Sequence, residues 1–259
     1  MVEDLRLAEF KRLLDIMDEL REKCPWDREQ TNETLRKLTI EETYELADAI
    51  IENSDDDIKK EVGDLMLHLV FYAKIGEEKG TFNITDVLKG INEKLIYRHP
   101  HVFGSVKVNG STEVIQNWEQ LKMNETDHYK PVLSGVPKTL PSMVKATRIQ
   151  EKVRGVGFDW DKREQIWDKV AEELRELQEE VRKGDQVRTE AEFGDLFFSV
   201  INAARLYNVD PESALERTNK KFIKRFNYLE EETIRKGRSL HDMTLEEMNC
   251  IWEDAKKRD

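Results

Sequence analysis

Five acidic residues recur in this sequence with the same spacing. The first set is Glu41, Glu42, Glu45, Glu61 and Asp64, and the second set, 131 positions later, is Glu172, Glu173, Glu176, Glu192 and Asp195. The flanking residues match as well, since "EVGDLMLHLVFYA" in the first copy aligns with "EFGDLFFSVINAA" in the second. Five acids in register are hard to attribute to chance. The chain is therefore predicted to contain two copies of one structural unit.

The composition indicates which kind of unit is repeated. Only six prolines and twelve glycines occur in 259 residues, and 37% of the residues are charged. Glu, Lys, Leu and Arg recur throughout, as in long amphipathic helices. We therefore predict an all-α protein built from two tandem helical domains.

The domain boundaries follow from the extent of the repeat. We predict an N-terminal domain at residues 1–105, a linker with a short helix at residues 106–140, and a C-terminal domain at residues 141–259. The linker helix is expected to open at Ser111, ahead of a stretch rich in Gly and Pro. Within the first copy, "NSDDD" separates the two acidic helices, with Ser54 or an Asp as the N-cap; "KGDQ" has this place in the second copy.

Acidic side chains interrupt the apolar face of the first helix. At 100° per residue one apolar stripe forms, consisting of Leu35, Leu38, Leu46, Ala49 and Ile50. Glu42 lies inside this stripe, whereas Glu173 lies at the edge of its own stripe and Glu172 points away from it. We therefore expect deeper burial of the acids in copy one. The helix from Glu61 to Lys74 is apolar nearly all round and is predicted to be the buried centre of its bundle.

Two helices thus present a Glu-x-x-Glu and a Glu-x-x-Asp motif to each other. Carboxylates that converge in an apolar space raise each other's pKa and need a cation to stay ionised. Sites made only of oxygen ligands suit magnesium, with manganese as a second possibility. Any single acidic motif in so acidic a chain is more often a solvated helix face, but its repetition favours a metal site.

Charge and hydropathy exclude several other classes. A net charge of -12 argues against general nucleic-acid binding, which needs a basic surface. No window approaches the roughly 20 apolar residues that span a bilayer, and we expect a soluble, cytoplasmic protein. The two cysteines, Cys24 and Cys250, have no metal-ligand spacing.

The repeated "EExxE" and "ExxD" motifs, with "CPWD", "RHPHVFG" and "GVGFDW", resemble those of the MazG family of nucleoside triphosphate pyrophosphohydrolases. The resemblance covers nearly the whole chain. It implies an all-α fold that forms homodimers by four-helix packing. It also implies Mg²⁺-dependent hydrolysis of ribo- and deoxyribonucleoside triphosphates to monophosphates and pyrophosphate, by attack of a metal-activated water at the α-phosphorus. A role in nucleotide-pool housecleaning or stress is suggested in the same way.

The resemblance assigns roles to the repeated acids. It implies metal ligation by Glu173, Glu176, Glu192 and Asp195, with Glu172 and Glu173 as the catalytic acids. The corresponding ligands of copy one are Glu41, Glu42, Glu45, Glu61 and Asp64.

A basic helix follows the acids in each copy. Lys221 and Arg225 lie one helical turn apart and are predicted to bind phosphate together, with Asn219 and Lys224 nearby. Lys94 and Arg98 are retained in copy one. Lys169 is a further phosphate candidate and is replaced by Leu38 in copy one. Trp252 matches a tryptophan that the family places near the nucleobase, although anchoring of the last helix explains it equally well.

Two alternatives remain at this level. A narrower substrate, as in a deoxyuridine triphosphatase or a phosphoribosyl-ATP pyrophosphohydrolase, would keep the fold. A helical regulatory protein that binds nucleotide or metal without hydrolysis would belong to a different class.

Overall fold

The computed structural model describes residues 4–110, 113, 114, 117, 118, 121, 131–235 and 237–258. Their contacts divide the chain into unit 1, Met1–Val114, and unit 2, Ile115–Asp259. The division falls inside the predicted linker. Of the helix predicted at residues 111–122, the five described residues are helical, whereas Ser111 lies outside the described residues.

The described residues contain α-helices and short 3₁₀ turns and no strand, which confirms the all-α prediction. Unit 1 contains α1 (Leu5–Lys23), α2 (Pro25–Glu29), α3 (Asn32–Glu52), α4 (Asp55–Glu78), α5 (Ile84–Arg98) and α6 (Pro100–Phe103). Unit 2 contains α7 (Ser142–Arg154), α8 (Ile166–Lys183), α9 (Gln186–Leu206), α10 (Pro211–Arg235) and α11 (Leu245–Lys256). No helix among the described residues is long and apolar enough to cross a membrane.

In unit 1 the two acidic helices form a hairpin with a two-residue connection. Asn53 caps the C-terminus of α3 and has φ of 53°, in the left-handed region. Ser54 then caps α4, because its hydroxyl accepts a hydrogen bond from the backbone N–H of Asp57 at 3.4 Å. The predicted N-cap at Ser54 is thus confirmed.

The core of unit 1 joins three helices. Met17 of α1, Leu35 of α3 and a group on α4 are almost fully buried; the α4 group is Val70, Phe71 and Ile75. Burial of each such side chain stabilises the fold by about 1.5–3 kcal/mol relative to exposure. The same helices position the acids on α3 and α4.

The predicted burial of α4 on all sides is wrong. Helix α4 is buried on one face only, since Val62, Met66 and Leu69 remain 44%, 43% and 63% exposed. Ile50 is exposed as well, because α4 covers the side of α3 that carries Leu35 and Ala49. Helical periodicity identifies apolar positions but does not say which of them a neighbouring helix covers.

Unit 2 repeats the hairpin with different capping residues. Gly184 caps the C-terminus of α8 with a left-handed φ of 73°. The Asp185 carboxylate caps α9 by accepting from the N–H of Arg188 at 3.1 Å. Helix α7 packs against both α9 and α10. The Lys152 ammonium donates to the carbonyl of Val132 at 3.2 Å, so part of the predicted linker is fastened to α7.

Candidate active site

The two hairpins each bring three carboxylates together. In unit 1, oxygen atoms of Glu42, Glu45 and Glu61 lie within 4.8 Å of one another. Glu61 is buried; one of its oxygens accepts from Lys60 at 2.8 Å, and the other, Oε2, has no hydrogen-bond partner among the described residues. A buried, unpartnered carboxylate oxygen beside two further acids is suited to bind a cation.

In unit 2 the same arrangement is built from the equivalent residues. Oxygen atoms of Glu173, Glu176 and Glu192 lie within 4.8 Å of one another. Three hard oxygen ligands at this separation fit a divalent cation such as Mg²⁺ or Mn²⁺, which would complete its shell with water and phosphate oxygens. Both triplets combine two acids from the first helix of the hairpin with one from the second.

The remaining acids of the repeat do not belong to these triplets. Asp64 is half-buried and Asp195 exposed, and each is close enough to raise the pKa of a neighbouring glutamate. Glu41 is exposed. Glu172 is half-exposed and is held by Lys169 at 3.0 Å.

One glutamate in each triplet has a raised pKa because it is partly desolvated and lies close to other carboxylates. Burial first, and then the charges of Glu45, Asp64 and Glu61, raise the pKa of Glu42 above its usual range. In unit 2, desolvation and then the charge of Glu176 have the same effect on the pKa of Glu192. A bound dication would reverse this effect, because it stabilises the ionised forms of all these acids.

The sequence predicted deeper burial for the acids of copy one, but the acids on the first helix of each hairpin show the reverse. Glu173 is 6% exposed, whereas Glu42 is only half-buried. The cause is Lys169, which lies one turn before Glu173 and pairs with it at 2.7 Å. Because this partner compensates the charge, α8 can turn Glu173 inward, and Leu38 at the equivalent position offers no such partner.

One acid near the unit 2 cluster was not found from the sequence. Glu180 is 8% exposed, pairs with Lys183 at 2.6 Å and adds to the charge that raises the pKa of Glu192. It lies one helical turn after Glu176, and Ala49 is its counterpart in unit 1. Glu180 was missed because a comparison of the two copies identifies only those acids that occur in both.

A pocket of about 620 Å³ adjoins the unit 2 acids. Lys169, Glu173 and Asp195 line one part of it, and α7, α9 and the loop between α7 and α8 supply the other walls. This volume falls within the range of small-molecule sites. A pocket of about 390 Å³ in unit 1 is lined by residues of α1, α4 and α5 and by Asn83, and none of the five acids belongs to it.

Of the phosphate-binding residues predicted for unit 2, Lys169 lines this pocket. The others, on α10, are not among its lining residues; they are Asn219, Lys221, Lys224 and Arg225. Lys221 and Lys224 are exposed, and the Asn219 amide donates to Glu216 at 3.2 Å. The Arg225 guanidinium lies 5.9 Å from the ring centre of Trp252.

Trp252 itself packs against Phe222 with ring centres 5.0 Å apart, which is the anchoring contact considered from the sequence. In unit 1, Lys94 is exposed, whereas Arg98 is 8% exposed and so presents little surface to a ligand.

Comparisons with known proteins agree with this duplicated site. The family described as the MazG nucleotide pyrophosphohydrolase domain matches twice, at residues 30–103 and 162–229. Each match contains one acid cluster. The chain belongs to the MazG family.

Relatives of full length are also similar. A protein of Thermotoga maritima named nucleoside triphosphate pyrophosphohydrolase/pyrophosphatase MazG is 44% identical over 96% of both chains. An Escherichia coli nucleoside triphosphate pyrophosphohydrolase is 39% identical over 98% of this chain and 99% of its own. The uncharacterised Bacillus subtilis protein YabN is 44% identical over 98% of this MazG chain and 53% of its own length.

Proposed function

We propose that this MazG protein hydrolyses nucleoside triphosphates to monophosphates and pyrophosphate, and that unit 2 holds the principal catalytic site. The observation that carries the proposal is the carboxylate triplet of Glu173, Glu176 and Glu192 beside a pocket of about 620 Å³. The names of the T. maritima and E. coli relatives support the same reaction. Ribo- and deoxyribonucleotides are both expected as substrates, in keeping with control of the nucleotide pool.

The triplet and Asp195 would hold Mg²⁺, or Mn²⁺ in its place. When bound, the metal supplies charge stabilisation for the triphosphate oxygens and a lowered pKa for the attacking water. The protein's part is to fix these ligands before substrate arrives. The hairpin does so by placing acids from α8 and α9 on facing helix surfaces.

Lys169 organises the side of the site that faces the pocket. Its ammonium has three donors, of which two are used by Glu173 and Glu172. The third donor is available to a phosphate oxygen. These hydrogen bonds raise the pKa of Lys169, so that it stays charged throughout the pH range of the enzyme.

In this proposal Glu172 receives the proton of the attacking water. It is half-exposed, lies beside Glu173 in the sequence and is oriented by Lys169. A carboxylate that is not itself a metal ligand can accept a proton while Glu173, Glu176 and Glu192 hold the metal. Attack at the α-phosphorus then expels pyrophosphate, a good leaving group when its charge is neutralised.

Uncovered apolar side chains on both hairpins support a homodimer. Val62, Met66 and Leu69 form one exposed row on α4, and Phe193, Phe197 and Val200 form another on α9, with Phe197 61% exposed. Rows of this kind mark interaction surfaces. We expect Phe197→Glu to shift the molar mass measured by light scattering toward that of a monomer.

The activity is tested by pyrophosphate release from a panel of ribo- and deoxyribonucleoside triphosphates with Mg²⁺. We expect turnover of several bases by the wild type, loss in Glu173→Gln, and retention in Glu179→Gln, an exposed acid on the same helix. Turnover of a single base would instead support a narrow-substrate enzyme. Tight binding in calorimetry without pyrophosphate release would support the regulatory alternative.

A further inference from the structure

His68, on α4 of unit 1, is a buried histidine that the proposed reaction does not use. It is 7% exposed, and its Nδ1 has no hydrogen-bond partner among the described residues. A buried polar atom of this kind costs free energy unless a ligand or a water pairs with it. Because imidazole is the commonest metal ligand in proteins, a metal ion is one ligand that would do so.

His68 lies on the same face of α4 as the acids of unit 1. Glu61, Asp64 and His68 are separated by three and four residues, so they project from one side of the helix. Burial lowers the pKa of His68 and the charge of Asp64 opposes this effect, as expected for neighbouring side chains. Glu42, on the facing helix α3, is also near Asp64, because burial and the surrounding carboxylates, Asp64 among them, raise its pKa.

Asp64 and His68 are not members of the unit 1 triplet and form a second position, further along α4. A carboxylate and an imidazole four residues apart on one helix face can hold the same ion. The two histidines of the His-Glu-x-x-His motif bind zinc with this spacing. Asp64 is half-buried, so water can reach the position and complete the coordination shell.

The equivalent residue of unit 2 is chemically different. Ser199 lies 131 positions after His68 and is 5% exposed. Its hydroxyl donates to the carbonyl of Leu196 at 2.9 Å, so its donor is satisfied within its own helix. The acidic residues of unit 2 offer oxygen to a metal, whereas unit 1 adds an imidazole nitrogen beside its acids.

We propose that unit 1 binds a nitrogen-preferring transition metal such as Zn²⁺, with His68 Nδ1 and the Asp64 carboxylate as ligands. Imidazole suits Zn²⁺ and its neighbours in the first transition series, whereas sites made only of oxygen suit Mg²⁺. Glu42 adds negative charge near this position, which favours a dication. The inference goes beyond the proposed function, because it concerns unit 1 and requires no hydrolysis in unit 2.

Binding is measured with Co²⁺, a coloured ion that substitutes for Zn²⁺ and whose visible absorption reports its ligands. The full chain, without an affinity tag, is titrated in excess Mg²⁺, which competes for the sites made only of oxygen. We expect one Co²⁺ per chain to remain tightly bound. Loss of an outer-shell partner alone weakens metal binding about 10- to 100-fold, so His68→Ser, which introduces the residue of unit 2, should weaken Co²⁺ binding at least about tenfold.

Two further variants separate ligation from folding. His68→Leu removes the nitrogen but fills the buried space, and it should weaken Co²⁺ binding as much as His68→Ser does. The matched control is His241→Ser, which replaces an exposed histidine and should leave the affinity unchanged. Thermal melts accompany each titration. Equal Co²⁺ affinity in the wild type and both His68 variants would overturn the proposal.

X-ray absorption of the wild type loaded with one equivalent of Zn²⁺ detects the imidazole directly and needs no variant. We expect the outer-shell scattering of a coordinated imidazole ring, and its absence would also overturn the proposal. Neither measurement involves a nucleotide. A failure to release pyrophosphate would therefore refute the proposed function and leave the nitrogen-containing site of unit 1 standing.

Discussion

The two acid clusters share their ligand pattern but bury different members of it. In unit 1 the fully buried acid is Glu61, on the second helix of the hairpin, whereas in unit 2 it is Glu173, on the first. Each buried acid has a lysine partner, Lys60 and Lys169 respectively. In unit 2 this lysine also belongs to the lining of the pocket beside the acids. Duplication has thus preserved the pattern of acidic residues while the surrounding residues diverged.

The largest expected difference is in catalysis. We expect Glu173→Gln to lower kcat by at least about 100-fold, since it removes a charged group from the cluster that stabilises the transferred phosphate. The equivalent Glu42→Gln should retain most of the activity. Steady-state rates of pyrophosphate release by the two variants measure this difference in kcat. Comparable losses in the two variants would mean that both units are catalytic and that unit 2 is not the principal site.

A second test exchanges the residue that distinguishes the sites. Lys169→Leu gives unit 2 the residue found in unit 1, and we expect kcat/KM to fall about tenfold because Glu172 and Glu173 lose their orienting partner. The ion pair is partly exposed, so the effect on stability should be smaller than for a buried pair. Lys37→Leu, an exposed lysine on α3, serves as the control. Unchanged kcat/KM in Lys169→Leu would remove this lysine from the mechanism.

The raised pKa values predict a pH-dependent stability in both units. A carboxyl group with a raised pKa binds its proton more tightly in the folded state, so the metal-free protein loses stability as pH rises from about 4.5 through the raised value. Above this window, metal-free Glu192→Gln should have a higher Tm than wild type, and Glu42→Gln should do likewise. Below pH 4.5 the difference should disappear.

Addition of Mg²⁺ should reverse this difference and make the Tm of the wild type higher than that of Glu192→Gln. At 100 times the dissociation constant a ligand stabilises the folded state by about 2.7 kcal/mol, and the wild type should gain most of this near pH 8. Glu192→Gln should gain less because it has lost a ligand. Thermal melts at several pH values, with and without metal, measure both effects. An equal gain in the variant would show that Glu192 does not contribute to metal binding.

The smallest expected effect concerns the hairpin connections. Asp185→Ala should lower the free energy of unfolding by about 1 kcal/mol, and Ser54→Ala by somewhat less, since the bond made by Ser54 is longer. Denaturant titrations of the two variants give these values. A larger loss in Ser54→Ala would indicate that hydrogen-bond length does not determine how much each cap contributes to the free energy of unfolding.

Much of this architecture could be predicted from the sequence, because repetition and capping are local properties. Ser54, Gly184 and Asp185 end or begin helices through backbone preferences that need no knowledge of the fold. The depth of Glu173 could not be predicted in this way. It depends on the pairing with Lys169, whose role becomes evident only when the side-chain positions are known.

The pocket residues were missed for a related reason. Gln150 lies on α7, outside the repeated segment, and its amide is fixed by a carbonyl 48 residues away at Phe198. Arg205 and Asp159 are likewise joined over 46 residues. A motif search detects neighbours in sequence, whereas these groups meet only through tertiary packing. The resemblance drew attention to "GFDW" but gave no reason for the position of Asp159 within it.

The two-residue connections also bear on how the chain acquires its structure. Each carboxylate triplet closes a loop of about twenty residues, from Glu42 to Glu61 and from Glu173 to Glu192. Short loops lose little chain entropy on closure, and contacts between near neighbours form early in folding. Each hairpin can therefore bring its carboxylate triplet together soon after it leaves the ribosome, before the helices that follow it have been synthesised. Metal available at that moment would favour the native pairing of the two helices.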